Sequence, residues 1–401
     1  MAPVPLWLDC DPGHDDAFAI LLAAYHPNIQ LLGISTVFGN ASLEKTTPNA
    51  SSLLTAIGKH TEVTIYPGYV NPLRRAPMHD PACSIHGESG LDGTSLLPKG
   101  LAKVNRQVSA IDAMYTALKA TPKNTAYLVA TGSQTNAAAL FEKYPNLAAH
   151  IAGFSLMGGA VGDDFTDAVL GEVDGKKRIG NWSPYAEFNI LVDPEAAASL
   201  FSNPVLAAKT TLVPLDLTHQ VLVTNDVQKT LLYGEDSSAA ELKPGEGKTV
   251  LRTMLVELLM FFAKTYADVF GITQGPPLHD PLAVAIALIG TDNEIPFFDY
   301  RLNDETRAPE RFKVTVVTEG SYEEAKDGKA QTGRTIVEPL PLGVPGVRIP
   351  RGLDIPKFWK EIGACLDRAD AANAQLAAAA ASTAAMTPAK VMAVTAAAVA
   401  A

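Results

Sequence analysis

Short apolar runs, each closed by a polar or glycine-bearing turn and followed by a longer mixed stretch, recur along the first two-thirds of this chain. Val4 to Leu8 is uniformly apolar, the pattern of a strand buried on both faces. Asp15 to Tyr25 then reads as a helix whose acidic start suits the positive end of its dipole. Ile29 to Phe38 reads as the next strand and Ser42 to Gly58 as the next helix. Thr125 to Ala130 is again apolar and β-like, with a helix through Thr135 to Tyr144 behind it. Ile151 to Met157 and Thr210 to Leu215 read as further buried strands, and one long helix is expected over Val250 to Tyr266. Alternating strands and helices predict an α/β fold, a mostly parallel central sheet flanked by helices with an open Rossmann-like core.

From Phe297 to Val347 the pattern shortens to strand-like pieces, Arg311 to Val317 and Arg334 to Val337, expected to form an accessory hairpin region. Val161 to Gly180 is polar and rich in Gly, Asp and Lys, and is expected to be an inserted surface loop. Beyond about Asp370 the chain is nearly all alanine and reads as a loose or partly helical tail. The expected organisation is one domain over residues 1–369 and a tail over 370–401.

Composition narrows the partners. A net charge of −11 argues against nucleic acid and anionic membrane surfaces. The three cysteines, Cys10, Cys83 and Cys365, are too few and too scattered for a disulfide framework or a zinc site, which fits a reducing, cytoplasmic compartment. The N-terminus lacks a basic segment and its apolar run is short for a signal peptide. The most apolar windows, Met254 to Ala263 and Leu282 to Gly290, are shorter than the roughly 20 residues of a membrane helix.

The chemistry concentrates where predicted strands end. Asp9-Cys10-Asp11-Pro12-Gly13-His14-Asp15-Asp16 follows the first strand, Asn40 the second, Thr131 the third, Met157-Gly158-Gly159 the fourth and Asp216-Leu217-Thr218-His219 the fifth. Ligands of open α/β sheets bind at these carboxyl ends. Four carboxylates within eight residues raise one another's pKa, and a hard divalent cation with oxygen ligands is their expected occupant. Helix capping accounts for one or two such acids, not four. His279-Asp280 on a proline-stiffened loop pairs a proton donor with a carboxylate. His86, in the glycine-rich run to Gly93, and Glu187 with its neighbours are weaker signals alone. No Walker loop and no Gly-x-Ser-x-Gly elbow occurs.

In this order the motifs resemble the inosine-uridine-preferring nucleoside hydrolases, closest to the uridine nucleosidase type of eukaryotes. The matching pieces are Asp9 through Ala17, Phe38-Gly39-Asn40, His86-Gly87 through Gly93, Thr131-Gly132 with Thr135-Asn136, Met157-Gly158-Gly159, Ala186-Glu187-Phe188-Asn189 with Asp193-Pro194-Glu195-Ala196, and His279-Asp280-Pro281, spanning about residues 4 to 365. The resemblance implies hydrolysis of the N-glycosidic bond of a ribonucleoside with one bound Ca²⁺. It implies carboxylate ligands Asp11, Asp16 and Asp280, the Thr131 carbonyl as a further ligand, and the 2′/3′ diol held by Asp15, Asn40 and Asn189. Asn181 and Glu187 are implied at the 5′-hydroxyl, Met157 and Phe188 along the sugar, and His86 beside the base. Asp11 is implied as general base and His279 as general acid, in a homodimer or homotetramer. The resemblance leaves the base open, with uridine favoured and inosine possible.

Two other readings of the residues stand beside it. Asp9-Cys10-Asp11 after a first strand also mimics a haloacid-dehalogenase-type phosphatase, in which Asp9 would be the nucleophile. The same residues could equally serve a non-enzymatic nucleoside- or calcium-binding protein.

Overall fold

A computed structural model describes residues 2–78, 86–173, 175–234, 241–243, 245–301 and 307–399, with side chains described to residue 382; Cys83 lies outside the described residues. Six strands form one sheet: β1 (Val4–Cys10), β2 (Ile29–Thr36), β3 (Ile65–Pro67), β4 (Tyr127–Ala130), β5 (Gly153–Met157) and β6 (Thr210–Val213). Their spatial order is β3-β2-β1-β4-β5-β6 and every pairing is parallel. The strand order reverses between β1 and β4, so a crevice opens beyond their carboxyl ends.

Side chains alternate across β1. Leu6, Leu8 and Cys10 enter one apolar layer with α1 (Asp16–Tyr25) and α2 (Leu43–Ala56), while Trp7 enters the layer on the other face. That second layer holds α3 (Ala110–Ala120) and α4 (Thr135–Lys143). Burial on both sides explains why the strand sequences carry almost no polar residues until their ends.

The strands and helices read from the pattern are present with boundaries shifted by a few residues. The strand at Thr210 stops at Val213, because Pro214 leads into a helical turn over Leu215–Thr218. The sequence pattern misses β3 and α3. The first has three residues, too few to show a period; the second was signalled by its cap, Ser109, whose hydroxyl accepts from the Asp112 N–H at 3.1 Å. The single helix expected over Val250 to Tyr266 is two, α7 (Val250–Phe261) and α8 (Ala263–Phe270), broken at Phe262.

Between β5 and β6 lie α5 (Phe188–Leu191), α6 (Pro194–Ser202) and a further helical turn over Pro204–Ala207. The expected hairpin is β7 (Phe312–Val316) paired antiparallel with β8 (Thr335–Pro339). It braces the site. The Thr335 hydroxyl donates to the Ala160 carbonyl at 2.6 Å and accepts from the Ala160 N–H at 3.0 Å, just beyond β5.

The base of the 161–180 segment is not a free surface loop. Asp216 accepts the N–H groups of Val161 and Gly162 at 2.7 and 2.9 Å, and Arg178 lies over the Phe270 ring. The helix α10 (Ile355–Val399) crosses residue 370 without a break. Asp370 and Asp367 ion-pair with Arg252 of α7, whose side chain is 1% exposed. Among the described residues no helix is long and apolar enough to cross a membrane.

A guanidinium so buried needs its counter-charges. Asp367→Ala with Asp370→Ala strands it, and the expected cost is about 3–5 kcal/mol in a urea titration. A loss under about 1 kcal/mol would show that the clip between α7 and α10 is not holding the fold.

Candidate active site

The crevice is built by the carboxyl ends of four neighbouring strands. Asp11 follows β1; Thr131 follows β4, its N–H donating to the Asp9 carbonyl at 2.8 Å; Met157 ends β5; Asn40 lies beyond β2. The turn Pro12-Gly13 brings the start of α1 back over the strand end, and Gly13 N–H donates to Asp16 Oδ2 at 2.9 Å. Asp280 opens α9 (Asp280–Ala285), which packs against α1. Carboxylate oxygens of Asp15, Asp16 and Asp280 fall within 4.8 Å of one another, and all three residues are buried.

Asp11 is fully buried behind this group. Its Oδ2 accepts the Asn40 N–H at 2.8 Å, while its Oδ1 has no hydrogen-bond partner. Two glycines make room for it. A Cβ at Gly39 would lie 1.9 Å from Oδ2 and one at Gly132 would lie 2.6 Å from Oδ1, so no side chain fits at either position.

Burial raises the pKa of every member, and neighbouring carboxylates add to it at Asp11, Asp16 and Asp280. Asp16 is pushed up to about 7 by burial and by Asp15, and Asp11 and Asp280 are pushed well above the carboxylate range by burial and neighbouring carboxylates. Asp15 moves upward chiefly through burial. Among the described residues no Lys or Arg forms an ion pair with any of the four. An unpartnered carboxyl oxygen and three converging carboxylates are a donor set that fits a hard cation. The cluster of three holds Asp15 where the resemblance implied Asp11.

Above the acids lies a pocket lined by Asp15, Asn40, His86, Thr131, Met157, Asn181, Glu187, Phe188, Asn189, His279 and Asp280, joined by Phe262 and Tyr266. The structure thus brings together the site residues singled out above, with Asp11 and Asp16 beneath the floor. Its amides and its glutamate are held by hydrogen bonds. Asn189 Nδ2 donates to the Thr131 carbonyl at 2.8 Å, and Asn40 Nδ2 to Asp16 Oδ2 at 3.3 Å. Glu187 caps α5, accepting from Asn189 N–H and Ile190 N–H, and also accepts from Gly159 N–H at 2.8 Å. Burial pushes its carboxyl up to about 7. Asn181 Oδ1 accepts the Phe188 N–H at 2.9 Å.

Rings line the same pocket. His279 Nδ1 lies 2.7 Å from the Thr218 hydroxyl, and its Nε2 lies 2.7 Å from the Tyr266 hydroxyl. Burial holds His279 well below the ordinary histidine value. Its resting form is therefore the neutral imidazole, not the cation that the ordinary pKa would make available. Tyr266 and Phe262 were not legible as site residues, because both sit in what reads as a continuous amphipathic helix. Phe262, at φ −91° and ψ 0°, interrupts that helix, and α8 starts again at Ala263 with Tyr266 inside the pocket. Thr218 carried a signal, its place after the sixth strand, that could have found it.

Asp9 is set apart from the site. Its Oδ1 accepts from Ser35 Oγ at 2.5 Å and Asn136 Nδ2 at 2.8 Å, and it is fully buried. A nucleophile must reach its substrate, so the phosphatase reading, which needs Asp9 in that role, fails on this geometry.

Comparison with known proteins agrees with the site. The family described as inosine-uridine preferring nucleoside hydrolase matches residues 6–360. The uridine nucleosidase of Saccharomyces cerevisiae is 37% identical over 92% of this chain and 98% of its own length. The pyrimidine-specific ribonucleoside hydrolase RihA of Salmonella arizonae is 38% identical over 70% of this chain and 78% of its own. Among solved structures, a purine-preferring ribonucleoside hydrolase from Gardnerella vaginalis superposes with a TM-score of 0.69 at 27% identity, covering 91% of this chain and 99% of that one. A match across nearly the whole domain, on a crevice that gathers the motif residues, establishes that this chain belongs to the inosine-uridine preferring nucleoside hydrolase family.

Proposed function

We propose that the protein hydrolyses the N-glycosidic bond of uridine, with inosine as a second substrate, and that Ca²⁺ is its metal ion. The observation that carries this reading is the convergence, in one pocket, of buried carboxylates and amides with a histidine and aromatic rings, groups suited to a sugar's hydroxyls and to a flat heterocycle. The likeness over nearly full length to a relative named uridine nucleosidase supports the choice of base.

Asp11, Asp16 and Asp280, with the Thr131 carbonyl, would hold the cation, and Asp15 lies close enough to share it. A bound divalent ion would orient the ribose diol and acidify water. Asp15, Asn40 and Asn189 bind the 2′- and 3′-hydroxyls, and Asn181 with Glu187 binds the 5′-hydroxyl. Met157 and Phe188 line the sugar.

Cleavage breaks the C1′–N bond, and its electron pair leaves with the base. The ribose passes through an oxocarbenium-like state stabilised by the surrounding carboxylates. Water adds to C1′ and gives up a proton to Asp11, whose Oδ1 is unpartnered. The departing base takes a proton from the hydrogen-bonded pair His279 and Tyr266. Since His279 rests neutral, that proton is an imidazole or phenol hydrogen handed along the pair.

Incubation with uridine, inosine and cytidine, with and without EGTA, tests the reaction and its metal together. Base and reducing sugar should appear in equal amounts and only with calcium; no release from any riboside would leave a binding protein on this fold. 2′-Deoxyuridine should turn over at least a hundredfold more slowly than uridine, and comparable rates would contradict the diol assignment. His279→Ala should depress uridine turnover far more than that of p-nitrophenyl riboside, whose leaving group needs no proton. Equal losses on both would remove His279 from proton transfer.

The raised carboxyl groups give a further expectation. A carboxyl whose folded pKa lies above its unfolded value keeps its proton in the native state, so Asp16 does so between about 4 and 7. A cation must displace those protons. The thermal stabilisation produced by a fixed calcium concentration should therefore grow as pH rises from 4 to 7. A calcium shift that stays flat across this window would mean that the ion binds elsewhere.

A further inference from the structure

His14, so far without a role, has the most constrained chemistry of the buried residues around the pocket. It is fully buried, with its ring 5.0 Å from that of His86 at an interplanar angle of 20°, and 5.1 Å from that of Phe261 at 18°. Its Nε2 lies 2.7 Å from the Asp92 carbonyl oxygen. Its Nδ1 lies 2.8 Å from Nδ1 of His86.

These contacts determine where the hydrogens are. A carbonyl oxygen can only accept, so His14 Nε2 carries the hydrogen. The other nitrogen of a neutral imidazole is then an acceptor. The short contact between the two Nδ1 atoms therefore has its hydrogen on His86, donated to His14. That leaves His86 Nε2 as a bare lone pair, with no partner among the described residues. Both rings are packed among phenyl rings, His14 against Phe261 and Phe262 and His86 against Phe262, and among the described residues no carboxylate oxygen hydrogen-bonds to either, surroundings that favour the neutral form. His86 lines the pocket with Phe262, Tyr266 and His279.

We infer that His14 is a positioning residue that locks His86 in its Nδ1–H tautomer, so that the pocket offers a hydrogen-bond acceptor to the base. The base class this selects carries a ring N–H at the edge facing His86: the imide N–H of uracil or the lactam N–H of hypoxanthine. Cytosine, whose N3 is itself an acceptor, is disfavoured by lone-pair repulsion. On this arrangement His86 has no proton to give the leaving group, and proton donation stays with His279 and Tyr266. The inference rests on the nucleoside reading above for its ligand, but not for the tautomer.

The test has two independent arms. In ¹⁵N-histidine protein, long-range ¹H–¹⁵N spectra, with His86 assigned by its loss in His86→Asn, should show Nδ1 protonated and Nε2 bare. His14→Gln keeps a donor for Asp92 and an acceptor for His86, so it should preserve this signature. His14→Phe removes the acceptor and should release the Nε2–H tautomer. In parallel, the uridine-to-cytidine ratio of kcat/KM should hold in His14→Gln and fall about tenfold in His14→Phe, the size of one net hydrogen bond. A wild-type His86 protonated at Nε2, or an unchanged ratio in a folded His14→Phe, would overturn the inference. If the wild type cleaves no riboside, the functional reading fails while the spectrum still decides the tautomer. If His14→Phe does not fold, the wild-type and His14→Gln spectra decide it alone.

Discussion

Four carboxylates confined in a dry crevice are the constraint on which the rest of this structure depends. Asp11, Asp15, Asp16 and Asp280 are each at least nine-tenths buried, and no ion pair to a lysine or arginine relieves them among the described residues. Such an arrangement is unfavourable unless protons or a cation offset the repulsion. The fold is organised to impose it. The reversal of strand order next to β1 opens the space, the Pro12-Gly13 turn doubles α1 back over its own strand, and α9 delivers Asp280 from far along the chain.

Positioning around the cluster relies on backbone as much as on side chains. Gly39 and Gly132 let the main chain close on both oxygens of Asp11. Asn189 and Asn40 hold their amides against the Thr131 carbonyl and Asp16, so these polar groups of the pocket are set before a ligand arrives. The aromatic lining is anchored differently, by rings packed on rings and by two hydroxyls that clamp both nitrogens of His279. The polar groups suit charge and hydroxyls, the rings a flat heterocycle.

Not every buried acid near the crevice belongs to the chemistry. Asp216 secures the 161–180 segment through two backbone N–H groups, and Asp193 caps α6 while accepting from Thr135 and Leu73. Asp9 ties β1 to Ser35 and Asn136. What distinguishes the cluster acids is that the carboxylate oxygens of Asp15, Asp16 and Asp280 converge within 4.8 Å of one another.

The sequence by itself determined the sheet except for the three-residue β3, because strands buried on both faces are forced into apolar runs that the pattern shows. It also determined the neighbourhood of the site, because acids, amides and histidines recur where those runs stop. The density of carboxylates in Asp9 through Asp16 was enough to infer a cation site, but not which members converge. That depended on the turn after β1 and on Asp280, more than 260 residues away in the chain. Only the tertiary structure set Asp9 apart from Asp11: Asp9 still lies within β1, bonded to Ser35 and Asn136, whereas Asp11 lies past the strand end, where the chain turns through Pro12-Gly13. It alone decided the aromatic lining, where a break at Phe262 turns Tyr266 into the pocket out of a helix that reads as continuous. It alone decided the protonation of His86 too, because a tautomer is fixed by partners in space, His14 and the Asp92 carbonyl, and no local pattern records them.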